Sequence, residues 1–279
     1  MNGLLIVGGL TIDRFLDGRT APGGSVIHSG LAAVAEGDAP TILTVAGDEP
    51  EAHEGLDRLA EMGELVRQRA ARTAAYRHEE HAGRRVLVYE AATDPILVPD
   101  GLGSPAVALV APIADELPPD AVIALLSTLR PRCTVMLIQG WLRRLEVGAP
   151  VRPLPLGEVP ETLWSAFGRA DAVVVSTEDL AETPEDPFAQ AQALRARLGD
   201  APILVLTLGQ EGYLLDDPGA DRVVASMPRR VVEGVPMVGA GDVFGATLAL
   251  HLSRGVDAGA AAAAATERVI RVLEARIPQ

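Results

Sequence analysis

Six short runs of β-branched and aliphatic residues, apolar at nearly every position, constrain this chain more than any other feature. They are Leu4–Val7, Thr41–Val45, Val107–Val110, Val135–Ile138, Ala172–Val175 and Ile203–Thr207, each bounded by Gly, Pro or Asp. A strand that is apolar on both faces must be covered on both faces, which is the situation of a parallel sheet between layers of helices. The intervening segments supply those helices. Val26–Ala35, His53–Met62, Pro119–Leu129 and Phe188–Leu198 place apolar residues at helical spacing. The expected fold is α/β, with a mostly parallel central sheet, and 279 residues read as one domain, 1–279. Only 3% of the chain is aromatic against 48% hydrophobic, so the core has to be built from Val, Leu, Ile and Ala.

One segment, 72–93, breaks the alternation. Thr73–Glu79 and Arg85–Glu90 alternate apolar and polar residues around the turn His81-Ala82-Gly83-Arg84, which predicts a hairpin with one wet face. Inserted in an α/β domain, it reads either as a small lid or as an edge hairpin without function.

Charge and composition narrow the chemistry. A formal net charge of −14 excludes nucleic acid as a partner, because no basic cluster offsets it; Arg143-Arg144 and Arg229-Arg230 are isolated pairs. Cys133 is the sole cysteine, so neither an internal disulfide nor a Cys-cluster metal site is available. Every basic residue is Arg, and a phosphate-binding P-loop, which needs a Lys, is excluded. Gly8-Gly9-Leu10 does not continue into the dinucleotide-binding Gly-x-Gly-x-x-Gly pattern. No signal peptide opens the chain and no apolar run reaches membrane-spanning length, Ala258–Ala265 being short. A soluble, cytoplasmic protein with no membrane partner is expected.

The densest chemical signal is Val238-Gly239-Ala240-Gly241-Asp242, followed by a helical pattern through His251. Unobstructed N–H groups at a helix N-terminus favour an anion. An aspartate there would repel a phosphate unless it had a task, such as accepting the proton of an attacking hydroxyl. The alternative is a plain helix cap, since Asp is a favoured N-cap residue.

Several elements, taken in order, resemble the ribokinase-like (PfkB) family of carbohydrate kinases. They are Gly8-Gly9-Leu10-Thr11-Ile12-Asp13, then Pro22-Gly23-Gly24-Ser25, Val45-Ala46-Gly47-Asp48-Glu49, the hairpin, Leu206-Thr207-Leu208-Gly209-Gln210-Glu211-Gly212, and Gly239-Ala240-Gly241-Asp242. The resemblance covers nearly the whole chain. It implies a ribokinase-like three-layer sandwich with a small β lid, and an ATP- and Mg²⁺-dependent kinase that phosphorylates a hydroxyl of a sugar, polyol or nucleoside. Position by position, it implies Asp242 as catalytic base and Gly239, Ala240 and Gly241 as the anion hole. Asp13, Gly23, Gly24, His28 and Tyr76 fall to the substrate, and Ser176, Thr207, Gly209 and Gly212 to the nucleotide. Glu178 or Asp179 is implied as the Mg²⁺ carboxylate.

The chain departs from the family in three places. Pro236 and Met237 stand where Asp-Thr usually precedes the Gly-Ala-Gly-Asp, Ser176-Thr177-Glu178-Asp179 replaces Asn-x-x-Glu, and His28 replaces an Asn. These departures favour a rival reading, a binding protein of the same fold with little or no catalysis. Three segments resemble the myo-inositol kinase-like branch, which makes inositol the first substrate to expect. They are Val110-Ala111-Pro112-Ile113 with Asp115-Glu116-Leu117-Pro118, Ile138-Gln139-Gly140-Trp141-Leu142-Arg143, and Val175-Ser176-Thr177-Glu178-Asp179. Within them Trp141 and Arg143 are candidates for substrate contact, with core cover the commoner role of such a Trp. The apolar face Val86, Val88 or Leu87, Tyr89 suggests a homodimer paired through the lid.

Overall fold

The computed structural model describes residues 3–81, 84–181, 186–220 and 222–277. The chain opens with β1 (Leu4–Gly8), β2 (Thr11–Arg14), β3 (Thr20–Gly23), α1 (Ser25–Ala35), β4 (Thr41–Ala46), α2 (Pro50–Met62) and β5 (Glu64–Arg69). It continues through β6 (Ala74–His81), β7 (Arg84–Ala91), β8 (Val107–Ala111), α3 (Pro119–Leu129), β9 (Cys133–Leu137), the short β10 (Arg143–Arg144) and β11 (Arg152–Pro153), and α4 (Glu161–Phe167). The last third is β12 (Ala172–Ser176), α5 (Pro187–Leu198), β13 (Ile203–Thr207), β14 (Tyr213–Asp217), β15 (Arg222–Ser226), α6 (Ala240–Ser253) and α7 (Ala258–Glu274).

Nine strands form the central sheet in the order β15-β14-β13-β12-β9-β8-β1-β4-β5. Neighbours from β13 to β5 pair in parallel, and β14 and β15 close one edge in antiparallel. The period of two in each strand divides the core. Leu4 and Ile6 of β1 face α1, α2, α6 and α7, while Leu5 and Val7 face α3, α4 and α5. Burying one such side chain stabilises the fold by roughly 1.5–3 kcal/mol. A slip of one residue would send every side chain of a strand to the opposite layer, so the two cores fix the register. The result is the three-layer sandwich that the apolar runs predict, with all six runs inside the sheet except Ile138, which opens the turn after β9.

The elements less visible in the sequence have physical reasons for it. Edge strand β5, Glu-Leu-Val-Arg-Gln-Arg, carries charge because it has one free edge and no complete cover. α7 extends well past the alanine stretch. Ala258, Ala261, Ala262 and Ala265 are buried at helical spacing, and the small side chains let α7 lie close on α6.

A second sheet, in the order β3-β2-β6-β7, stands over the carboxyl ends of the parallel strands. The expected hairpin supplies β6 and β7; residues 82–83 of its turn lie outside the described residues. The other half comes from β2 and β3, which pair in antiparallel, with β2 parallel to β6 and Asp13 in register with Tyr76. Two phenols fasten this sheet to the body. Tyr76 donates to the Ile113 carbonyl at 2.7 Å, and Tyr89 donates to Asp115 Oδ1 at 2.8 Å. Glu116 sits fully buried beneath them, its carboxylate accepting the Ile113 and Ala114 N–H groups at 2.8 Å, so it shapes the turn that receives the tyrosines. The outer edge of β7 is covered by the chain itself. Tyr89 N–H donates to the Ala149 carbonyl, and the Gly148 and Val151 N–H groups donate to Tyr89 and Leu87.

Candidate active site

The carboxyl ends of β1, β8, β9, β12 and β13 lie along one border of the sheet, where open α/β sheets bind their ligands. Gly239 opens α6 there at φ 78°, a left-handed backbone that favours glycine. A Cβ at Gly239 would also fall inside the imidazole of His28, which packs against it from α1. Gly239 is the N-cap. Asp242 is the third residue of the helix, and its side chain makes no cap hydrogen bond. The plain helix-cap explanation of this aspartate is therefore excluded.

The turn leaves donors open. Ala240 N–H is spent on the Met237 carbonyl at 3.0 Å, so of the three anion-hole residues Gly239 and Gly241 keep their donors. Among the described residues no backbone carbonyl accepts from Gly239, Gly241 or Asp242 N–H. Three donors at the positive end of a 14-residue helix make an anion cradle.

Asp242 lies beside this cradle, 5% exposed, and its Oδ1 is buried without a hydrogen-bond partner. Burial pushes its pKa up to about 7; the charge of Arg143 opposes the rise and that of Asp179 adds to it. The helix N-terminus favours the carboxylate by about 0.3–1 kcal/mol, and desolvation outweighs it. A carboxylate with a pKa near neutrality suits proton abstraction better than an ordinary one.

Arg143, at the end of the turn that follows β9, reaches into the same space. Its Nη2 lies 3.0 Å from Gln139 Oε1 and 3.4 Å from Asp179 Oδ1. Its charge is felt both by Asp242 and by Tyr76 of the second sheet. Trp141, by contrast, is spent on the core: it is 8% exposed, donates Nε1–H to the Leu117 carbonyl at 2.6 Å and packs on Phe167.

On the lid side, Asp13 projects from β2 and accepts from Thr11 Oγ1 at 3.3 Å. The paired glycines leave it room: a Cβ at Gly23 would collide with the Asp13 carboxylate, and one at Gly24, held at φ 94°, would collide with the Gly9 carbonyl. Tyr76 has its hydroxyl proton committed to Ile113 and is 2% exposed, which makes it a latch rather than an open donor for a polyol. His28 is kept neutral, its pKa lowered to about 4 by burial and then by Arg276 and Arg58.

The nucleotide and metal candidates gather at the ends of β12 and β13. Ser176 and Thr207 are in register, and Thr207 Oγ1 donates to the Val175 carbonyl at 3.4 Å. Gly209 and Gly212, at φ 60° and 102°, turn the chain into antiparallel β14. Ser176 Oγ accepts from Glu178 N–H at 3.3 Å and so shapes the acidic turn. Glu178 is exposed, whereas Asp179 is 9% exposed and faces Arg143. Among the described residues no group of three His, Cys, Asp or Glu side chains is placed to hold a metal. Glu178 and Asp179 offer two neighbouring carboxylates, a donor set compatible with Mg²⁺, which needs only one or two carboxylates because it keeps most of its waters.

Two residues of the site carried little signal in the sequence. Arg143 stood out only within its motif, and Arg276, which reaches the turn before α6, had no signal at all.

No protein-family model matches the chain, and no curated protein matches it in sequence. Solved structures do match. A pyrophosphate-dependent kinase in the ribokinase family, complexed with a pyrophosphate analogue and myo-inositol, superposes with a TM-score of 0.72 at 17% identity, over 94% of this chain and 92% of that one. Arabidopsis thaliana ribokinase complexed with ribose and ATP gives 0.72 at 16% identity, over 98% and 99% of the two chains. Fructokinase from Vibrio cholerae gives 0.73 at 19% identity, over 98% and 99%. The fold is the ribokinase-like fold.

Proposed function

We propose that this protein is a phosphotransferase that moves the terminal phosphoryl group of a donor, ATP first, onto a hydroxyl of a small sugar or polyol, myo-inositol first. The observation that carries this reading is Asp242: a buried carboxylate without a partner at Oδ1, with a pKa near 7, next to unpaired N–H groups at a helix N-terminus. A structural aspartate would use its oxygens; this one keeps an acceptor open.

The chemistry follows from the arrangement. Asp13 holds hydroxyls of the acceptor from the lid side. One hydroxyl oxygen attacks the terminal phosphorus as its proton passes to Asp242, and the bond from that phosphorus to the bridging oxygen of the leaving group breaks. Gly239 and Gly241 N–H groups stabilise the charge on the transferring group. Glu178 and Asp179 would hold Mg²⁺ through its waters, and the ion would neutralise charge on the donor phosphates. The lid, fastened by Tyr76 and Tyr89, excludes water as a competing acceptor. A cytoplasmic location goes with this reading, because ATP is made there. The described residues contain no helix long and apolar enough to cross a membrane.

The likeness to both an ATP-complexed and a pyrophosphate-dependent kinase sets the experiment. Purified protein is offered ATP or pyrophosphate, with Mg²⁺ and a panel of polyols and sugars, and phosphorylated product is measured. Pro236 and Met237 support the second reading, a binding protein without catalysis, and calorimetry separates the two because a sensor binds its ligands without turnover.

A further inference from the structure

We infer that Arg276 is the positioning residue of the anion-binding turn, a tethered cation that sets the peptide planes entering α6. The inference rests on the kinase reading above and concerns how this chain holds its anion hole after losing the usual support.

The turn before α6 cannot hold itself. Pro236 and Met237 bring neither a side-chain donor nor a carboxylate, and Pro236 has no N–H. Support comes from outside, from α7 and the residues just beyond it. Met237 and Val235 pack on Val232, Ile270 and Leu273. Arg276, one turn of chain past that apolar cluster, donates through Nη1 to the Pro236 carbonyl at 2.6 Å and to the Val238 carbonyl at 2.9 Å.

The second of these bonds matters for the anion hole. The Val238 carbonyl and the Gly239 N–H belong to one peptide unit, planar and trans, so they point in opposite directions. Holding the carbonyl on Arg276 aims the Gly239 N–H away from the guanidinium. A positive charge on the carbonyl also polarises that peptide and strengthens its N–H as a donor. On the Cα side, the neutral ring of His28 fills the space that a Cβ would take. Gly239 is thus fixed between a cation on its preceding carbonyl and an imidazole on its Cα. Ala240 N–H, bonded to the Met237 carbonyl, completes the turn.

The test compares wild type, Arg276→Ala, Arg276→Lys and Asp242→Asn. Each is assayed well below its own melting temperature, so that folded protein is compared with folded protein. In Arg276→Ala, kcat is expected to fall about a hundredfold, the effect of displacing one anion-hole donor, with the acceptor KM within about threefold of wild type. Arg276→Lys, which keeps the charge but not the fork, should recover about a tenth of the wild-type rate, and added guanidinium ion should raise the rate of Arg276→Ala. A second readout needs no turnover: pyrophosphate binding measured by calorimetry should weaken about tenfold or more in Arg276→Ala and should not weaken in Asp242→Asn. Equal pyrophosphate affinity in wild type and Arg276→Ala overturns the inference. So does a loss of rate that guanidinium and Arg276→Lys leave untouched. If wild type transfers no phosphoryl group to any acceptor, the kinase reading fails while the binding comparison still decides the role of Arg276.

Discussion

Asp242 carries a thermodynamic signature that can be measured without knowing the substrate. Its carboxyl titrates near an ordinary 3.8 in the unfolded chain and is pushed up to about 7 by burial in the fold. Between those values the folded state holds a proton that the unfolded state has released, so stability falls as pH rises through that window and levels off above it. A difference of about three pH units corresponds to roughly 4 kcal/mol. Asp242→Asn removes the titration and nearly preserves the shape. The amide adds its own constant offset, so the pH-dependent part of the comparison is the signal. Urea unfolding of both proteins, run in parallel from pH 4 to 9, should show the variant gaining on wild type. The gain is small at pH 4, about half complete near pH 5.5 and close to its full ~4 kcal/mol above pH 7. A difference that stays flat across this range, or one that turns against the variant as pH rises, would refute the claim that the fold strains this carboxylate.

Further expectations concern rate and architecture. If the ionised Asp242 accepts the proton, kcat/KM rises with pH through an inflection near 7, the value to which burial moves it, and Asp242→Asn lowers kcat about 10²–10⁴-fold without that inflection. Gly239→Ala forces a side chain into the left-handed region, costing about 1–2 kcal/mol, and drives its Cβ into His28. A lowered melting temperature and weaker pyrophosphate binding should appear together, and an unchanged melting temperature would contradict the packing described. Removing a phenol in Tyr76→Phe or Tyr89→Phe deletes one lid latch, worth about 1 kcal/mol each. The acceptor KM should rise while donor affinity stays constant, and an unchanged acceptor KM would separate the lid from substrate binding. A homodimer through the lid has little apolar surface left to use, since Val88 and Tyr89 are 3% and 1% exposed within one chain. Sedimentation at micromolar concentration should show whether Val86 and Leu87 suffice.

The parts of this structure that can be read from the sequence are those fixed by local pattern. Leu4–Val7 and Ala172–Val175 read as buried strands because they are short, rich in β-branched residues and bounded by Gly or Asp. β2 and β3 were invisible for the opposite reason. Each has four residues, interrupted by Asp, Pro or Gly; β2 is held by β6, which arrives from about sixty residues away, and β3 pairs only with β2. The same distinction divides the site. Gly239-Ala240-Gly241-Asp242 is legible because a left-handed turn, open donors and a carboxylate fall within four consecutive positions. The open state of Asp242 Oδ1 is not, since it depends on what α1, β9 and the acidic turn after β12 fail to offer. Arg276 is the extreme case. Its bonds span 38 and 40 residues, and nothing beside it in the chain distinguishes it from the other arginines.

The most direct test of the central claim is phosphoryl transfer itself, followed by phosphorus NMR. Wild type and Asp242→Asn are each mixed with ATP or pyrophosphate, Mg²⁺ and one acceptor at a time, beginning with myo-inositol. A new phosphomonoester signal that appears with wild type and is at least a hundredfold slower with Asp242→Asn is the predicted result. Transfer at an undiminished rate in Asp242→Asn, or binding of donor and acceptor by wild type with no phosphoester formed, would contradict it.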